Sequence, residues 1–193
     1  MILEGIITTR NADGGGINVS PMGPILPNGT MDHFLLRPFQ TSRTYLNLKA
    51  HREGVLHVTD DVELIARAAI DRLETMPVMV AAHRVQCDAL ADACRWYEFQ
   101  VTELDDSDER TTIHCTVVHE NRVRDFFGFN RAKHAVLEAA ILATRVHFLP
   151  IDEITIQLTQ LRVLVEKTGG RQEHAAFDLL ASYVAEHVEA SES

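Results

Sequence analysis

Basic residues are in deficit. The chain of 193 residues carries 18 Lys and Arg against 28 Asp and Glu, a formal net charge of −10 at neutral pH. Nonspecific nucleic-acid affinity comes from clustered cations that neutralise phosphates, so a field of this sign argues against a nucleic-acid partner. Long apolar runs are also lacking: no segment approaches the ~20 consecutive apolar residues of a membrane-crossing helix. The opening stretch has neither the basic region nor the extended apolar core of a secretion signal. Cysteine is scarce and odd in number (Cys87, Cys94 and Cys115), with no paired metal-binding spacing, as expected of reduced thiols in the cytoplasm. The expectation is a soluble cytoplasmic protein with no membrane partner.

Familiar catalytic signatures are missing as well. There is no Gly-x-Ser-x-Gly elbow, and Ser20 is followed by Pro21 where a nucleophile would need a strand-to-helix turn. The glycines of residues 11–16 lack the spacing and following helix of a dinucleotide fingerprint. Ten histidines are present, yet none stands in a three-ligand spacing, so no metal is expected. Cys115 alternates inward between Ile113 and Val117 and reads as a small hydrophobe. Asp60 and Asp61 are better explained by helix capping than by paired-carboxylate chemistry. No catalytic acid or base declares itself.

What is present is a change of pattern along the chain. Short β-rich runs occupy 2–9, 17–20, 31–36, 54–59 and 97–104, and 112–123 alternates most clearly, with Ile113, Cys115 and Val117 on one side. A short helix fits 45–52. Asp60 with Glu63 reads as a capping box that opens an amphipathic helix to about residue 74. Beyond Phe129 the chain turns helical: Asn130 caps an alanine-rich segment, Pro150 interrupts it, and Gly169-Gly170 separates the last two helices. The expected architecture is antiparallel β with one internal helix over 1–125, then a helical domain over 126–193 docked through Ala135, Ala139 and Ala143.

Three polar stretches stand out. Residues 37–44 gather Arg37, Gln40, Thr41, Ser42, Arg43 and Thr44 between two strand-like runs. Cations and hydroxyls on rigid flanks suit a phosphate, and the same composition suits a solvated turn. Asn18-Val-Ser-Pro-Met-Gly23 sets amides and a hydroxyl beside a proline-stiffened turn, the shape of a flat ring's edge or of a plain strand end. Arg122-Val-Arg-Asp-Phe-Phe-Gly-Phe-Asn-Arg131 mixes cations and phenylalanines. There Arg122, Arg124 and Arg131 fit a domain junction or a pocket lining.

These stretches carry a family resemblance. Glu4-Gly-Ile-Ile-Thr-Thr9, Asn18-Val-Ser-Pro-Met-Gly23, Arg37-Pro-Phe-x-Thr-Ser-x-Thr-Tyr-x-Asn-Leu48, Val58-Thr-Asp-Asp61 and Phe129-Asn-Arg-Ala132 with Glu138-Ala-Ala-Ile141 span most of the chain in order. On them the chain resembles the FMN-binding split-barrel superfamily, which includes flavin reductase-like and pyridoxamine-phosphate-oxidase-like proteins. It is most similar to an uncharacterised prokaryotic flavoprotein family that joins such a barrel to C-terminal helices. The resemblance implies an antiparallel FMN-binding split β-barrel followed by a C-terminal helical domain, with FMN at a homodimer interface. It implies Asn18, Val19, Ser20, Pro21 and Met22 along the isoalloxazine, and Arg37, Thr41, Ser42 and Thr44 on the phosphate and ribityl chain. Asn47 would lie at the same corner, touching cofactor or orienting the turn. The implied activity is that of an FMN oxidoreductase with a small-molecule redox partner, since the flavin itself carries such chemistry. The alternative is a noncatalytic binding or structural protein on the same scaffold without flavin. The helical addition is a departure from flavin reductases.

Overall fold

The computed structural model describes residues 1–192 and divides into two compact units. The first comprises Met1–Thr59 and Thr75–Phe126; the second comprises Asp60–Glu74 and the chain from Phe127 onward.

The first unit is built on a six-stranded antiparallel sheet of order β2-β1-β4-β7-β8-β3. Its strands are β1 (Gly5–Arg10), β2 (Ile17–Met22), β3 (His33–Leu36), β4 (Glu53–Val58), β7 (Arg95–Asp105) and β8 (Thr112–Arg122). Single antiparallel bridges from Leu35 to Ile25 and from Ile25 to Ile2 curl the β3 end of the sheet back toward the start of β1. The inward face is a continuous apolar core that includes Ile7, Phe34, Leu36, Leu56, Phe99 and Ile113. Phe34 and Phe99 meet edge to face at 5.2 Å, the arrangement aromatic quadrupoles favour. At Gly5 an added Cβ would lie 2.6 Å from the carbonyl oxygen of His57, and at Gly54 it would lie 2.8 Å from the Phe99 ring. Only glycine lets β1, β4 and β7 curve together this closely.

A small hairpin of β5 (Met79–Ala81) and β6 (Asp88–Leu90) covers the other face of β1 and β4. Val55, Val85, Cys87, Ala89 and Trp96 form its own apolar cluster. Cys87 and Cys94 immediately precede β6 and β7 respectively. The hairpin is held by a buried histidine. His57 Nδ1 donates to the Ile6 carbonyl at 3.1 Å and Nε2 accepts from the Leu90 amide at 3.0 Å, which fixes the neutral Nδ1–H tautomer. Burial pushes this imidazole down to about 4, against the opposing bond to Ile6.

The helical unit contains α2 (Val62–Ala69), α3 (Arg131–Ala143), α4 (Ile151–Thr168) and α5 (Arg171–Glu192). Four features differ from the sequence expectation. The N-cap of α2 is Asp61, whose carboxylate accepts from the Leu64 amide at 2.9 Å, while Asp60 accepts from the Phe127 amide at 2.9 Å. The helix ends at Ala69 rather than near residue 74. By its packing α2 belongs to this unit, so a division at residue 125 omits an excursion: Val62, Ala66 and Ile70 sit in one core with Ala132, Ile154, Phe177 and Leu180. Ala135, Ala139 and Ala143, expected to dock the helices on the barrel, are buried in this same core against the unit's own helices. Asn130 caps α3 as expected, accepting from the amides of Ala132 and Lys133 at 2.8 and 3.1 Å.

The state of His57 makes stability pH-dependent. The unfolded imidazole takes a proton near its ordinary value of 6.5, the folded one only near 4, so between these values the unfolded chain binds more protons. The contribution, about 3 kcal/mol, is complete above the upper value and is lost as pH falls through the lower one. Imidazole 15N shifts should show His57 still neutral at pH 5.5; a protonated His57 in folded protein at that pH would contradict this reading.

Candidate functional site

Between β3 and β4 the polar stretch does not remain a turn. From Arg43 to His51 it forms a helix, α1 (Arg43–His51), with Ser42 as N-cap. The Ser42 backbone is extended (φ −76°, ψ 144°) and its hydroxyl accepts from the Tyr45 amide at 3.2 Å. The Leu46 amide is taken by the Ser42 carbonyl. The amides of Arg43 and Thr44 have no hydrogen-bond partner among the described residues. No acidic side chain stands in this first turn. Two free donors at the positive end of a helix, with no carboxylate to neutralise them, form an anion-receptive corner.

The rest of the helix explains why this corner stands where it does. Asn47, at the middle of α1, is 2% exposed. Its Oδ1 accepts from the Ala12 amide at 2.9 Å, and its Nδ2 donates to Thr9 Oγ1 at 2.9 Å and to Asn11 Oδ1 at 3.2 Å. All its described bonds go to the β1–β2 hairpin, so in this structure it positions α1 against that hairpin. Leu48 fills the barrel core beside it. On the opposite side Tyr45 Oη donates to Asp106 at 2.6 Å and Lys49 Nζ meets the same oxygen at 2.8 Å. The bond to Lys49 and then that to Tyr45 hold the Asp106 carboxyl below its usual range.

The segment leading into the helix is pinned at its backbone. The Gln40 backbone amide donates to the Glu109 carbonyl at 2.9 Å, and its side chain donates to the carbonyls of Asp106 and Asp108 at 2.8 and 2.9 Å. Arg110 Nε donates to the Arg37 carbonyl at 3.1 Å. The Arg37 guanidinium itself is exposed and has no partner among the described residues, and Thr41 is exposed beside the cap.

Two of the three polar stretches singled out in the sequence meet here. Asn18 Nδ2 donates to Thr44 Oγ1 at 3.2 Å, joining β2 to the first turn of α1. β2 lies at the sheet edge, pairs only with β1, and is half-buried along its length, so Asn18, Val19, Ser20, Pro21 and Met22 line an open margin next to the helix start. Pro21, lacking an amide hydrogen, is tolerated because the strand is an edge. Arg37 approaches from the end of β3 without a bond to Ser42 or Thr44. The amides of Arg43 and Thr44 escaped the sequence reading. The signal that could have found them is Thr-Ser immediately before the apolar spacing of Tyr45 and Leu48, a helix-start pattern.

Other candidates take structural places. Arg124 donates to Asp92 at 2.9 Å and to Cys94 Sγ at 3.2 Å, and Arg122 pairs with Asp125, so both brace the exit from β8. Arg131 opens α3. All three cysteines are buried. Burial pushes the Cys87 thiol up to about 11 and raises that of Cys115 further, the opposite of what a nucleophile requires.

A curled antiparallel barrel with a helix start beside its edge strand is the flavin reductase-like split-barrel fold, here extended by helices. Residues 3–124 match the family model described as the N-terminal domain of a protein of unknown function, DUF447, and residues 130–182 match its C-terminal counterpart. The chain belongs to the DUF447 family. It is similar in structure to the FMN-bound DUF447 protein MM1853 of Methanosarcina mazei, with a TM-score of 0.79 over 94% of each chain and 22% identity. It also resembles the flavin reductase HpaC complexed with NADP+ (TM-score 0.52, 18% identity, 66% of this chain and 83% of that one). The NADH:FAD oxidoreductase SgcE6 of Streptomyces globisporus gives a TM-score of 0.50 at 14% identity, over 62% of this chain and 69% of that one. No protein with a curated description matches the chain in sequence.

If Asn47 sets the corner, Asn47→Ala should destabilise the barrel by about 2–4 kcal/mol, because several buried partners lose their bonds at once. Urea unfolding measures this, and a loss below about 0.5 kcal/mol would remove Asn47 from that role.

Proposed function

We propose that the protein is an FMN flavoprotein, with the cofactor phosphate at the N-terminus of α1 and the isoalloxazine along β2, acting as an oxidoreductase on a small redox partner. The observation that carries the reading is the pair of unpartnered amides of Arg43 and Thr44, tied by the Asn18–Thr44 bond to a half-open edge strand. A phosphate fits such donors by charge and by geometry. The Ser42 and Thr41 hydroxyls can supply further bonds, and the exposed Arg37 fork can engage two phosphate oxygens. The free backbone groups of β2 can meet the polar edge of a flat heteroaromatic ring. Support also comes from the relatives, one described as FMN-bound and others as a flavin reductase and an NADH:FAD oxidoreductase. When bound, FMN supplies electron or hydride transfer, and the chain's part is to bind, orient and screen it.

The proposal includes a homodimer. The barrel leaves β2 with an unpaired edge and presents exposed Met1, Ile2, Leu46, Val118 and Val123. In split barrels a second copy completes the cofactor site, and an interface of at least ~1,000 Å² total would be needed. Sedimentation at micromolar protein should give a dimer; a monomer alone would refute that part.

Replacing Arg37 by Ala should weaken FMN by roughly 1.5–3 kcal/mol, the range for a hydrogen bond to a charged group, or about tenfold or more. Riboflavin, which has no phosphate, should lose much less. Flavin fluorescence titration of both ligands decides it, and equal losses would remove Arg37 from the phosphate seat. The oxidoreductase part predicts that NADH, NADPH or another small reductant bleaches bound flavin without oxygen.

A further inference from the structure

We propose that His83, Glu98 and His119 form a binding site for a divalent transition-metal ion of the zinc, cobalt or nickel class. Their ligand atoms all lie within 4.8 Å of one another. The sequence shows no such spacing because three separate elements supply them. Glu98 and His119 are cross-strand partners on β7 and β8, and the ladder shifts register immediately after Glu98. A bulge at this place re-aims a side chain, as bulges beside functional sites do. His83 enters from the turn between β5 and β6.

The centre of the cluster is prepared for a cation. Glu98 is fully buried, and its carboxylate accepts from the His83 amide at 2.9 Å, from the Arg84 amide, and from the Trp96 indole at 3.2 Å. Those donors fix the orientation of the carboxylate, as outer bonds to metal-ligating carboxylates usually do. His83 Nδ1 stands 3.4 Å from Glu98 Oε1, close to the separation of about 3.4 Å between neighbouring tetrahedral ligands with bonds of ~2.0–2.1 Å. The His83 ring stacks on Trp96 and meets His119 edge to face at 4.8 Å. Its side chain is 54% exposed, so it can rotate the last distance inward, and the site opens to solvent on that side. Two imidazoles and one carboxylate select borderline metals over calcium or magnesium, which prefer all-oxygen sites. Three protein ligands would leave a position for water.

A plainer role for Glu98 is to anchor the hairpin turn through the amides of His83 and Arg84. That role is real, but it makes no use of the His119 ring, which distinguishes the two. The experiment is a titration of tag-free protein with Co2+, followed by its visible d–d absorption, and with Zn2+ by calorimetry. Wild type should bind one ion per chain, and His119→Ala should lose at least about tenfold in affinity while keeping its circular dichroism. His83→Ala, altered at an exposed side chain, carries the same expectation should His119→Ala fold poorly. His147→Ala is the control, because His147 and His187 form another histidine pair, with ring centroids 5.2 Å apart. Absence of binding, binding unchanged in both test variants, or loss of binding in the control would overturn the proposal. The readout involves no flavin, so its failure leaves the FMN reading standing.

Discussion

The buried amide of Asn47 is the constraint on which the candidate site depends. It reaches from α1 into the β1–β2 hairpin and makes bonds to Thr9, Asn11 and Ala12 there. A helix of nine residues has little stability of its own and takes its position from such contacts. Because Asn47 and Leu48 fix one side and Tyr45 and Lys49 the other, the first turn of α1 is carried to the margin of β2. Two amides are left there without acceptors. Had α1 rolled by a fraction of a turn, Asn18 and Thr44 would part and those amides would face a different surface.

Polar burial recurs on the outer side of the barrel, with partners at His57, Thr8 and Glu98. His57 bridges Ile6 and Leu90, Thr8 donates to the Asp88 carbonyl at 2.7 Å, and Glu98 collects the turn after β5. Each of these bonds ties the small hairpin to the main sheet. Buried polar groups of this kind cost dearly when half-satisfied, so they specify one placement of the hairpin over its neighbours. The same placement brings His83 beside Glu98 and His119. A structural anchor and a candidate metal site thus share one carboxylate.

Much of the architecture was legible in the chain. The alternation along β8 was readable because one of its faces lines the core, and Asn130 was readable because capping is a local event settled within four residues. Cys115 followed from the same alternation. Other features depend on contacts that no local pattern encodes. The periodicity of α2 reveals an apolar face but not that its partners are Ala132 and Phe177, many residues later in the chain. The sequence favours Asp60 as the cap because Glu63 stands three residues on, yet the cap is Asp61, while Asp60 is taken by the Phe127 amide. Asn18 and Thr44 were separately singled out; only the fold joins them. The cluster of His83, Glu98 and His119 was illegible for the same reason, since a strand pair and a distant turn must first be assembled.

The central claim is that the start of α1 receives a phosphate. Backbone amide shifts test it most directly. In 15N-resolved spectra, saturating FMN should move the Arg43 and Thr44 amides strongly, while saturating riboflavin should perturb the residues of β2 and leave those two nearly unmoved. If FMN binds and the Arg43 and Thr44 amides do not respond, or respond equally to riboflavin, the phosphate lies elsewhere and the account fails at its centre.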